Sequence, residues 1–89
     1  MNTRDLYFIT GAIKVCESLE NEIQFDLWAE DDIEYNNRVL INARHNTLYS
    51  FTCRVAITKE RFEASTQEEI VRFVREGIEK CFLTDVFKI

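Results

Sequence analysis

Apolar side chains recur at spacings of three and four through residues 4–20: Leu6, Ile9, Ala12, Ile13, Cys16 and Leu19. That period predicts an amphipathic helix. Phe8 and Val15 join the apolar half of the wheel, and Arg4, Thr10, Lys14, Glu17, Ser18 and Asn21 fill the other half. Thr3 suits an N-cap, and Asp5 complements the positive end of the helix dipole. Gly11 opposes the helix by about 1 kcal/mol. The run Leu6–Thr10 also has strand-like composition, so a strand over 6–16 is the alternative.

Residues 22–30 alternate instead. Ile23, Phe25, Leu27 and Ala29 share one face, and Gln24, Asp26, Trp28 and Glu30 share the other. This is the pattern of a half-buried strand. Asp31-Asp32 and Asn36-Asn37 then bracket a loop.

Residues 38–44 and 48–58 predict a hairpin. Pairing Arg44 with Leu48 leaves a His45-Asn46-Thr47 loop, in which Asn46 tolerates a left-handed backbone. The same register sets Ala43 opposite Tyr49, Ile41 opposite Phe51 and Val39 opposite Cys53, so that both apolar sets share one side.

Residues 66–82 predict a second long helix, opened by a Thr66-x-x-Glu69 capping box. Its apolar stripe is Ile70, Val71, Phe73, Val74, Ile78, Cys81 and Phe82, and Gly77 within the stripe predicts close approach to the sheet. Phe51, Val55, Phe73 and Ile78 are expected to be deeply buried. The tail Leu83–Ile89 is again apolar and suits packing, edge pairing or subunit contact. The assembled expectation is an α+β fold: helix, three-stranded antiparallel sheet, helix, with both helices on one face of the sheet.

A length of 89 residues suits a single domain over 1–89. With 2 glycines and no proline, Gly-rich phosphate loops and Pro-rich linkers are excluded. No apolar run reaches the roughly 18 residues of a membrane span. The absence of a basic-then-apolar start, together with three widely spaced cysteines, points to reduced thiols in the cytoplasm. The single histidine, His45, lies at the expected hairpin tip. It sits apart from Cys53 on the core side, so neither a Cys-His nucleophile nor a zinc site is expected. The reading is therefore a non-enzyme without cofactor or metal.

Charge changes the picture more than composition does. The formal net charge is −5, and residues 17–34 hold eight of the sixteen acids with no Lys or Arg. The plain reading is a solvated face. The functional reading is an acidic surface for a basic partner. The stretch lacks the mid-loop glycine of an EF-hand. Trp28 falls on the solvent face between Asp26 and Glu30, either as an interface anchor or as a cover for Arg44 or Arg54. The candidate partner-binding residues are Glu20, Glu22, Asp26, Trp28, Glu30, Asp31, Asp32 and Glu34.

The order helix–three strands–helix resembles the double-stranded-RNA-binding domain. That family starts its second helix with basic residues, whereas Thr66-Gln67-Glu68-Glu69 here would repel phosphate, so direct nucleic-acid binding is not expected. Layout, size and the acid-rich stretch from Asp26 to Glu34 are similar to small acidic phage-encoded inhibitors of the anti-CRISPR type. That resemblance implies a nucleic-acid mimic that blocks the basic groove of a nucleic-acid-processing enzyme. The expected function is protein binding as an inhibitor or adaptor. The alternative is a homo-oligomeric structural or assembly protein joined through residues 83–89.

Overall fold

The computed structural model describes residues 3–23, 25–45 and 52–82. The first apolar period forms helix α1, Thr3–Glu20. Thr3 is its first helical residue rather than a cap, and the strand alternative over 6–16 is overturned. The buried stripe is Phe8, Ala12, Val15, Cys16 and Leu19. It is rotated from the expected one, so Leu6 and Ile13 are exposed and Ile9 is only partly buried. The rotation follows from what packs on the helix. The Phe62 ring presses on the Gly11 side, where an added Cβ would lie 2.8 Å from it.

Strand β1 runs Phe25–Asp31, β2 Arg38–His45 and β3 Thr52–Thr58, in an antiparallel sheet of order β1-β2-β3. Ile23, Phe25 and Leu27 are buried as the alternation predicts, but Glu22 lies in the preceding turn rather than in the strand. The β2–β3 register differs from the expected one by four residues: Ala43 faces Cys53, Ile41 faces Val55 and Val39 faces Ile57. A shift by an even number keeps every side chain on its face, so alternation alone could not discriminate the two pairings. His45 is consequently not a hairpin-tip residue. It ends β2 opposite Phe25, buried, with its ring edge-on to Phe25 at 5.1 Å. The expected loop residues Asn46 and Thr47, and Leu48, Tyr49 and Phe51, lie outside the described residues.

A short helix α2, Lys59–Ala64, follows β3 directly and has no counterpart in the sequence reading. The Thr58 hydroxyl caps it by accepting the Arg61 N–H at 3.1 Å. Helix α3 spans Gln67–Phe82. Its capping box forms as expected: Glu69 N–H donates to the Thr66 hydroxyl at 3.2 Å and Thr66 N–H donates to the Glu69 carboxylate at 2.9 Å. Ile70, Val74, Ile78 and Phe82 point inward. Phe73 is only half-buried, with the Arg61 guanidinium 4.0 Å from its ring centre, and Cys81 is exposed at the margin of the stripe. Gly77 does allow the close approach expected of it, since a Cβ there would sit 2.9 Å from Val55.

The layers are therefore those expected, with α1 over β1 and β2, α3 over β3, and all three helices on one face. Val39, Ile41, Ala43, Val55 and Ile57 of the sheet pack against Phe8, Leu19, Val74 and Ile78 of the helices. Burying such side chains contributes about 1.5–3 kcal/mol each before entropy is charged against it. The tail 83–89 lies outside the described residues. Among the described residues no helix is long and apolar enough to cross a membrane.

Candidate functional site

The face of the sheet turned away from the helices carries the alternate residues of each strand. Asp26, Trp28 and Glu30 of β1 stand opposite Arg44, Asn42 and Leu40 of β2, which stand opposite Thr52, Arg54 and Ala56 of β3. Trp28 is 40% exposed here, as its position in the alternation predicts. The Arg44 guanidinium lies 6.0 Å from its ring, at the outer limit of a cation–π contact, so Trp28 is only loosely covered.

Asn42 is the polar centre of this face and is fully buried. Its side-chain amide donates to Glu30 at 3.2 Å and its oxygen accepts from Arg54 Nε at 2.9 Å. Arg54 closes the triangle with an ion pair to Glu30 at 3.3 Å. Asn42 thus satisfies both ends of its amide, which a buried polar group requires. Charge reading alone would miss this residue; the signal for it is a lone Asn between Ile41 and Ala43 in a strand.

The eight expected partner-binding residues divide into two groups. Glu20 ends α1 in solvent and Glu34 is exposed in the β1–β2 loop. Asp26, Trp28 and Glu30 share the open face. Asp26 pairs with Arg44 at 3.6 Å, both side chains being more than half exposed, and Glu22 pairs with Arg75. Such exposed pairs contribute about 0–1 kcal/mol and yield readily to a competing cation.

Asp31 and Asp32 serve the fold instead. Asp31 turns to the helix side, where Lys59 Nζ reaches it at 3.3 Å and Asp5 of α1 at 2.9 Å, and also donates to the Asn36 carbonyl at 2.9 Å. Lys59 is itself buried, so it ties α1, β1, the β1–β2 loop and α2 together. The Asp5 hydrogen bond raises its pKa above the ordinary 10.5, burial opposing and Asp31 adding to the rise. Asp32 is only 5% exposed. Its carboxylate accepts from Glu34 N–H at 3.0 Å, Tyr35 N–H at 3.1 Å and Arg38 Nε at 2.8 Å, a local turn built on an Asp side chain. Burial pushes its pKa up, but the hydrogen bond from Arg38, the two backbone N–H groups and the Arg38 charge outweigh this and hold it below 3.8. Arg38 also covers the Tyr35 ring at 4.3 Å.

The acids therefore do not form one open field. Five of the seven candidate acids are matched by Arg38, Arg44, Arg54, Lys59 or Arg75. The bases all approach from β2, β3 or the later helices, and between Lys14 and Arg38 the chain itself supplies none. A hollow of about 350 Å³ lies beside the loop, lined by Glu30, Asp31, Asp32, Ile33, Leu40 and Arg54. Ile33 is 95% exposed at its rim.

The two buried cysteines, Cys16 and Cys53, offer little chemistry at neutral pH. Burial pushes the Cys16 thiol up to about 11, with Glu20 and Glu17 adding to the rise. Burial and the neighbouring Cys81 push Cys53 up to about 12. Both are thiols rather than nucleophilic thiolates. Among the described residues no three His, Cys, Asp or Glu side chains converge as a metal site requires. A second cleft, of about 390 Å³, separates α1 from α2 and α3, with Tyr7, Lys14 and Glu63 at its rim and Phe62 among its lining. Its only acid is Glu63, so it does not extend the acidic margin.

Comparison of the chain with protein-family models, curated proteins and solved structures gives no match.

Proposed function

We propose that this α+β protein is a binding module that presents the β1 margin to a basic partner protein. The single observation that carries the reading is a coincidence of place. An edge strand bearing Asp26 and Glu30, flanked by Glu20 and Glu34, also carries the half-exposed Trp28. Carboxylates around an accessible indole supply attraction and an anchor in one patch. An inhibitor or adaptor that occupies the basic groove of a nucleic-acid-processing enzyme is the form of this reading that size and net acidity favour. The three free cysteines suit a reducing compartment, the cytoplasm.

The test is affinity capture from lysate at low and high salt, with the native protein beside a Glu20→Lys, Asp26→Lys, Glu34→Lys variant. These are the acids to reverse, because Asp31 and Asp32 hold the fold. The reading expects a basic protein that the native chain retains, that salt elutes and that the variant loses. The same protein captured equally by both would contradict it.

A second reading, self-assembly, draws on Leu6, Tyr7 and Ile13, which leave α1 52%, 62% and 43% exposed. A solution mass above one chain that falls to one chain in a Leu6→Glu, Ile13→Glu variant, or on truncation after Phe82, would favour it over the first.

A further inference from the structure

We infer that β1 accepts an extended basic segment of the partner as a fourth strand, one whose side chains alternate between Lys or Arg and apolar residues. This rests on the binding reading above and names the mode and the chemistry of the ligand. β1 is an edge strand, and no other strand pairs with its outer side among the described residues. An edge strand turns about half of its N–H and C=O groups outward, which is a template for one more strand.

What lies on each side of that edge selects the ligand. On the open face stand Asp26, Trp28 and Glu30, and the two acids form ion pairs there with Arg44 of β2 and Arg54 of β3, whose side chains are 56% and 61% exposed and yield readily to a competing cation. On the helix side stands α1, which packs over β1 while α3 packs over β3. The Gly11 flank of α1 turns toward Phe62 and α2. The opposite flank, away from α2, carries Ile9, partly buried against the core, with Leu6 and Ile13 beyond it. Leu6 and Ile13 are 52% and 43% exposed there. A strand laid on this edge sends alternate side chains to the two sides. One set meets carboxylates and an indole, which suits Arg or Lys. The other set meets an aliphatic row. A second copy of β1 is the wrong ligand, because antiparallel pairing about Trp28 would set Asp26 against Glu30 of its mate, and like charges opposite one another destabilise a ladder.

The test uses the full chain and a capped seven-residue peptide of alternating arginine and valine. Trp28, the single tryptophan, reports binding by fluorescence. Two further peptides carry backbone N-methyl groups, one at every valine and one at every arginine. In a strand the N–H groups of alternate residues point the same way, so only one of the two can lose its bonds to β1. The expected result is that one methylated peptide binds at least tenfold more weakly while the other stays within about threefold of the parent. Equal binding of all three peptides would overturn strand addition and leave the acidic-margin reading standing. No binding of the parent at low salt would overturn both.

Discussion

On the helix-covered face of the sheet, Val39, Ile41 and Ala43 are fully buried within the apolar cluster that the sheet forms with the helices. On the opposite face Asn42 is just as deeply buried, yet held in place by a hydrogen bond it donates to Glu30 and one it accepts from Arg54. The first face is sealed by a layer of helices. Among the described residues the second is sealed only by the side chains of its own strands, which leave Trp28 and Asp26 in partial contact with water. The same three strands thus separate two tasks. Residues pointing one way build the core, and of those pointing the other way Asp26 and Trp28 stay open to solvent.

Substitutions on the two faces should therefore differ in kind. The largest effect belongs to the covered face. Ile78→Ala should cost about 2–5 kcal/mol in chemical denaturation, because the cavity lies between α3 and the sheet and cannot drain to solvent. A cost below 1 kcal/mol would mean that the two layers pack loosely. Next comes the buried cation at the rim of the layers. Lys59→Met should cost about 2–4 kcal/mol, short of a fully buried pair because Asp5 and Asp31 remain about a quarter exposed. Its pH dependence has a definite sign. The folded pKa is raised, so the contribution is complete below 10.5 and fades as pH climbs through the higher folded value. The variant should lack that alkaline loss.

Asp32 works in the opposite direction. Its folded pKa is depressed, so its contribution is complete above 3.8 and disappears as pH falls through the lower folded value. Asp32→Asn should flatten the acid limb of a stability–pH profile; an unchanged limb would remove the Asp32 turn from the account. Smaller again, Thr66→Ala should lower stability by about 1 kcal/mol through loss of the α3 cap, read as a shift in the denaturation midpoint.

Much of this division is legible in the sequence, and the exceptions have physical reasons. The alternation of residues 22–30 places Trp28 outward, and the Thr66–Glu69 box places the start of α3. The hairpin register is misread because pairings four residues apart bury the same faces, and Asn46 offered a plausible turn. Helix α2 escapes notice because six residues are too few to show a period; Thr58 as a cap was its one local signal. The acidic run is the instructive case. One-dimensional counting sees residues 17–34 as uncompensated, whereas folding brings Arg38, Lys59 and Arg75 to them from later in the chain. Which acids remain for a partner is a property of the tertiary structure alone.

The separation of the two faces is most directly tested by an Asp26→Asn, Trp28→Thr variant, measured for stability by chemical denaturation and for binding of the alternating arginine–valine peptide by titration calorimetry, which needs no tryptophan. The account predicts a stability change of no more than about 1 kcal/mol, as for exposed cross-strand pairs, together with at least a tenfold loss of affinity. A variant that unfolds, or one that binds the peptide as tightly as the native chain, would contradict it.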